Sequence, residues 1–290
     1  MNMYEQVRKN KLKSTWIVSL FIALVNLIGF IVGISFFDNY KIGFVIVNIV
    51  TLIYVGITLL NAKSIIMSLN NGKKITKNDN PFIWNTVENL CMVAQLPMPD
   101  IYIVEEGSPN AFATGMNPNQ SAIGVTTGLL SKLNREEIEA VIAHELAHIS
   151  SGDSRLSATT IALVSVIILI LDIALHLCDT DDNIFGTIAL IVAYIFAPIV
   201  GQILVYALSR NREYLADSVA VEYCRNPLAL VSALEKISAD DDPVDNISES
   251  CATLYFDEPT KKNIDKPNRK ASLFDTHPPV HSRIEKLKMM

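Results

Sequence analysis

Apolar positions along this chain fall into two patterns. Four stretches are almost continuously apolar, at about residues 15–37, 42–60, 158–177 and 184–208. A helix needs about 20 such residues to cross a bilayer, so the pattern predicts four membrane spans arranged as two hairpins. The first run is too long for a cleaved signal and no small-x-small site follows it. With the second run beginning almost at once, the first reads as a retained anchor. The third run carries Asp172 and His176 near its end, where such side chains snorkel or pack. A long core helix of the soluble part is the alternative for this run. Pro198 in the fourth run is tolerated where neighbours satisfy the freed carbonyl.

Elsewhere the apolar residues are periodic. Asn80 and Pro81 read as the cap and first position of a helix running to about Leu96, with Ile83, Val87, Leu90, Cys91 and Ala94 on one face. IYIV at 101–104 reads as a strand. NAFATG at 110–115 and SAIGVTTG at 121–128 flank the polar turn MNPNQ, which predicts a hairpin in a small sheet. Next, Asn134 and Glu137 have capping-box spacing. Ile138, Val141, Ile142, Leu146 and Ile149 continue an apolar helix face that Gly152 ends. A polar helix, SRNREYLADSVAVEYC, follows the fourth run. Residues 238–270 read as a mobile polar loop, and FDTHPPVHSRIEKLKMM as a turn and short helix.

Charge orients the spans. Arg8, Lys9, Lys11 and Lys13 precede the first, Lys63, Lys73, Lys74 and Lys77 follow the second, and Arg210 and Arg212 follow the fourth. Asp179, Asp181 and Asp182 lie between the third and fourth. Basic residues stay on the cytoplasmic side, so both termini and the periodic segments are expected in the cytoplasm, with Arg210 and Arg212 as membrane-edge anchors. The expected division is an N-terminal part with a membrane hairpin (1–61), a cytoplasmic part (62–157), a second hairpin (158–208) and a second cytoplasmic part (209–290). Half the residues are apolar and the mean hydropathy is +0.31, which suits a membrane protein. The net charge of −6 gives no footprint for nucleic acid. Cys91, Cys178, Cys224 and Cys251 are scattered, without a CxxC; they read as free thiols, with Cys91 and Cys224 buried.

The chemistry begins at VIAHELAHIS, residues 141–150. On a helix His144 and His148 stack on one face and can hold one Zn²⁺, and Glu145 can act as base toward the metal's water. A catalytic zinc needs a third protein ligand and an open position. RNREYLAD offers Glu213, returned to the motif by the second hairpin. Asp217, one turn on, can accept a hydrogen bond from the free N–H of a ligand histidine. The alternative for Glu213 is a pair with Arg210 or Arg212 on a solvated face. His277 or Arg283 in THPPVHSRI can donate to the oxyanion; a structural salt bridge is the equal alternative for Arg283.

Taken together, HELAH, NAFATG, SRNREYLAD and THPPVHSRI, in this order and with four spans, resemble the HtpX-type heat-shock membrane protease family, which is related to the CAAX prenyl proteases. The resemblance covers essentially the whole chain. It implies an α+β membrane protein, mostly helical, with four transmembrane helices and a cytoplasmic zincin-like catalytic domain. It implies a zinc endopeptidase of the bacterial cytoplasmic membrane, with one Zn²⁺, that cleaves misfolded or damaged membrane proteins in quality control. His144, His148 and Glu213 would be ligands and Glu145 the base. Asn110 and Ala111 would lie on an edge strand that pairs with extended substrate, and His277 would face that substrate. Nothing carries over to the loop at 238–270. The expected partners are protein substrates and the lipid bilayer, with oligomeric state open. The rival readings are a prenyl-protein-type protease and a non-catalytic membrane scaffold with a structural zinc.

Overall fold

The computed structural model describes residues 39–159, 211–240, 255–256 and 278–290, together with Asp172 and helical positions between 12 and 34. The chain divides into two compact units, one of residues 1–7, 62–158 and 208–290, the other of residues 8–61 and 159–207. The expected span at 184–208 lies outside the described residues, as does the one at 158–177 apart from its first two residues and Asp172.

In the second unit, helix α1 (Tyr40–Leu69) begins. Among the described residues it is the one helix long and apolar enough to cross a membrane. Leu52, Ile53, Ile57 and Leu60 are exposed on it. The helix is 30 residues long, about 45 Å, and outruns the expected stop at residue 60. No breaker intervenes before Asn71, whose φ of 51° ends it. The division between the two units falls at residue 61, as expected, and the helix runs on through it.

In the first unit, a four-stranded sheet has the order β1-β2-β4-β3, from β1 (Lys73–Lys74), β2 (Asp100–Val104), β3 (Ala111–Gly115) and β4 (Ser121–Thr126). The expected hairpin is present as β3 against antiparallel β4, with Ala113 opposite Ile123. The sequence did not announce that β2 runs parallel to β4, with Ile101 opposite Ile123. Gly124 makes room on β4: a Cβ there would stand 2.5 Å from the Phe112 ring.

Helices pack around this sheet. In α2 (Pro81–Ala94), Asn80 Oδ1 accepts the Ile83 N–H at 3.1 Å, and Ile83, Val87, Leu90 and Cys91 are buried. Burial pushes the Cys91 thiol up to about 11, so it stays protonated and inert at neutral pH. A short α3 (Thr127–Lys132) leads to the central helix α4 (Arg135–Ser151). Its capping box is complete: Glu137 N–H donates to Asn134 Oδ1 at 2.9 Å, and Asn134 N–H donates to Glu137 Oε2 at 2.8 Å. Such a cap is worth about 1 kcal/mol. Gly152, at φ 75°, ends the helix in the left-handed region. Helices α5 (Asn211–Cys224), α6 (Pro227–Ser238) and α7 (Val280–Leu287) complete the unit. The core is centred on α4: Ile138, Val141, Ile142, Leu146 and Ile149 are buried, but so are Ala140, Ala143, His144 and Glu145. From Ala140 to Ala147 every residue of α4 is buried, and such close packing holds the polar side chains there in place.

Candidate metal centre and cleft

His144 and His148 lie on α4 at i and i+4, so their rings meet, with Nε2 atoms 3.0 Å apart. Glu213, in the first turn of α5, brings its carboxylate to the same point. Its Oε2 is 3.5 Å from His144 Nε2 and its Oε1 3.7 Å from His148 Nε2. One donor atom from each residue falls within 4.8 Å of the others, so the three can hold a metal ion. Glu213 does not stand on a solvated face: it is buried at 3% exposure.

The outer ring nitrogens face carboxylates. His144 Nδ1 stands 3.0 Å from Asp217 Oδ1. Asp217 is buried and receives Arg283 through two bonds, Nη2 to Oδ1 at 2.7 Å and Nε to Oδ2 at 2.9 Å. Burial pushes the Asp217 carboxyl up, but the Arg283 charge and the bonds from His144 and Arg283 hold it below the usual carboxylate range. His148 Nδ1 stands 3.3 Å from Asp153 Oδ2, which also accepts the Ser151 hydroxyl at 2.7 Å. Arg212 Nη1 is 3.7 Å from Asp153 Oδ1. Burial raises the Asp153 carboxyl, yet His148, Arg212 and Ser151 together bring it below its ordinary value. With a carboxylate facing each Nδ1, the tautomers that carry the proton there are favoured, and in them both Nε2 atoms present lone pairs to each other and to Glu213. Such a converging set of lone pairs suits a cation.

A narrow cleft of about 20 Å³, roughly the room of one water molecule, opens beside this cluster, lined by Ala113, Glu145, His148, Glu213, Tyr255 and Phe256 among others. Glu145, 1% exposed, follows His144 directly and faces the cleft.

His277 lies outside the described residues. Arg283 is 1% exposed and engages Asp217, the Phe256 carbonyl at 3.4 Å, the Phe256 ring at 4.8 Å and, through Nη1, Glu213 Oε2 at 3.9 Å. It supports the centre from behind instead of donating into the cleft. Arg212, expected as a membrane-edge anchor, is buried beside Asp153 and lines the cleft. Asn110 and Ala111 sit at the edge strand β3, but their groups are engaged internally. Asn110 N–H donates to Thr126 Oγ1 at 2.8 Å, Ala111 N–H to Asn110 Oδ1 at 3.0 Å, and Ala111 O accepts Phe256 N–H at 2.8 Å. The supposed mobile loop thus contributes Tyr255 and Phe256, both buried. Sequence reasoning missed these two and Asp153. The aromatic pair inside a polar stretch was the available signal for the former, and an aspartate just past the helix-ending glycine for the latter.

A model of Peptidase family M48 matches residues 77–290. The chain is 44% identical to a Protease HtpX homolog of Listeria monocytogenes serovar 1/2a, over 99% of this chain and 100% of that protein. It is 38% identical to a Protease HtpX homolog of Ligilactobacillus salivarius, with the same coverage of each. Among solved structures, the crystal structure of S. mikatae Ste24p superposes with a TM-score of 0.51 at 16% identity, covering 98% of this chain and 66% of that one. That identity speaks for a shared fold alone. The family match and the full-length relatives agree with the centre built by α4 and α5: the chain belongs to peptidase family M48, and is a membrane-bound metalloprotease that hydrolyses peptide bonds.

Proposed function

We propose that the chain is a zinc endopeptidase of the bacterial cytoplasmic membrane, multi-pass, with its termini and active site in the cytoplasm, which cleaves misfolded or damaged membrane proteins. The observation that carries the metal assignment is the convergence of His144, His148 and Glu213. Zinc bonds of about 2.0–2.1 Å in tetrahedral geometry put ligand atoms about 3.3–3.4 Å apart. The observed separations of 3.0, 3.5 and 3.7 Å bracket that value. Three protein ligands leave one position open, as a catalytic site requires and a closed structural site does not.

Bound there, zinc supplies Lewis acidity, polarising the scissile carbonyl and bringing the pKa of water to about 7. Glu145 takes the proton of the attacking water and passes it to the leaving amine. Asp217 and Asp153 hold the two imidazoles in the tautomer that turns Nε2 inward. His277 is the proposed oxyanion donor, on the resemblance of THPPVHSRI alone.

Two measurements test this reading. Full-length protein in detergent should contain about one zinc per chain and cleave casein. Stripping the metal with a chelator should abolish cleavage, and zinc should restore it. A His148→Ala variant should lose both metal and cleavage; a variant that keeps both sinks the ligand assignment. Asp153→Ala should keep the ligands but weaken zinc binding roughly ten- to a hundredfold, read by competition with a chromogenic chelator. An unchanged affinity would remove Asp153 from the centre.

A prenyl-protein-type protease is the second reading, with the fold likeness to Ste24p behind it. A farnesylated peptide offered beside casein separates the two.

A further inference from the structure

We infer that Tyr255 and Phe256 are a fixed wall of the substrate cleft, and that Phe256 determines which side chain is accepted next to the scissile bond. Both residues come from the middle of the polar stretch that the sequence assigns to solvent, yet Tyr255 is 0% and Phe256 1% exposed. They lie antiparallel along the outer edge of β3, with Tyr255 opposite Phe112 and the Phe256 N–H on Ala111 O at 2.8 Å. They therefore hold the part of the edge where a substrate strand would otherwise add to the sheet.

The anchoring is too extensive for a displaceable cover. The Tyr255 ring packs against Phe112 with centroids 4.6 Å apart, and its hydroxyl donates to Asn70 Oδ1 at 3.0 Å. Phe256 carries Arg283 over its ring face and accepts Arg283 Nη1 at its carbonyl. The ring stands edge-on to His144, with centroids 4.9 Å apart at 84°. Exposing two fully buried rings would cost a competing peptide on the order of a thousandfold in affinity. A substrate binds against this pair and does not replace it.

The same two residues line the cleft that holds Glu145, His148 and Glu213. Because Phe256 is packed between His144 and the cleft, its ring bounds the space open to the residue beside the bond being cut. Its bulk sets the upper size limit there, as a methylene-scale change in an apolar pocket shifts selectivity by about 10–200-fold.

This inference rests on the protease reading and is tested on the zinc-loaded full chain in detergent. Casein is digested by wild type, Phe256→Leu and Phe256→Ala, and the cleaved bonds are mapped and quantified by mass spectrometry, with zinc content measured in parallel. The expected result is equal zinc content and a graded change in the map. The alanine variant should cut beside bulky aromatic residues at least tenfold more often, relative to other bonds, than wild type, with leucine between. Should the alanine variant not purify, Phe256→Leu and Phe256→Trp carry the same test in opposite directions, one widening the range of bonds cut and one narrowing it. Relative maps that superimpose across the variants overturn the wall, whatever happens to total rate. A wild type that holds no zinc and cuts nothing overturns the protease reading instead.

Discussion

Replacing Glu145 by Gln is expected to slow casein cleavage by about a thousandfold, within the range that loss of a positioned general base produces, while zinc content stays at the wild-type level. Glutamine keeps the size and shape of the side chain and removes its capacity to take a proton. Glu145 is 1% exposed in the buried stretch of α4 from Ala140 to Ala147, so its carboxylate is held where α4 puts it, one residue past His144 and facing the cleft. Folding should not suffer. A neutral amide is cheaper to bury than a carboxylate, so the melting midpoint should stay level or rise. Steady-state cleavage, zinc by elemental analysis and a thermal melt, all on one preparation, check the three parts. Wild-type cleavage by the variant would remove Glu145 as base. Loss of zinc from it would make Glu145 a ligand and reopen the assignment of Glu213.

What the sequence made legible here is whatever is local or carried by a motif. The Asn134 and Glu137 box is a three-residue spacing, and it forms as read. His144 and His148 share a face because four residues make about one helical turn. Glu213 and Asp217 repeat that spacing on α5, which is why one reaches the metal cluster and the other reaches the back of His144. Contacts made across long separations were not legible. β2 pairs with β4 in a parallel register that no turn sets. Arg212 sits next to an apolar run and so looked like a membrane anchor, while its partner Asp153 lies 59 positions earlier in the sequence. Tyr255 and Phe256 are two aromatic residues in a polar stretch with no periodicity. Only the tertiary structure supplies the edge of β3 that receives them. Arg283 was legible with two open roles, a structural salt bridge and an oxyanion donor, because the two look alike in sequence; the buried Asp217 is what it grips.

That role gives Arg283→Met the largest expected effect on stability. Arg283 and Asp217 are both nearly inaccessible, at 1% and 2% exposure, and are joined by the two bonds at 2.7 and 2.9 Å. Methionine fills much of the space and can pack on Phe256, but it strands the carboxylate. Removing one partner of a buried pair costs about 3–5 kcal/mol, which a urea melt in detergent can resolve. The pH dependence fixes the cause. In the wild type the Asp217 carboxyl is held below its ordinary value, so its contribution is present above the unfolded carboxylate pKa of about 3.9 and is lost as pH falls through the lower folded value. In the variant burial acts without the counter-charge, Asp217 takes a proton and its carboxyl titrates above the unfolded value. The deficit of the variant should therefore be largest near pH 7 and shrink on acidification. The double variant Arg283→Met with Asp217→Asn separates stability from metal binding. Without a stranded charge it should recover most of the lost stability. Zinc affinity should stay roughly ten- to a hundredfold down, because an amide no longer holds His144 Nδ1 as a carboxylate does. Recovery of both together would mean that Asp217 serves packing alone. Recovery of neither would mean that Arg283 acts chiefly through Phe256, which its side chain also grips.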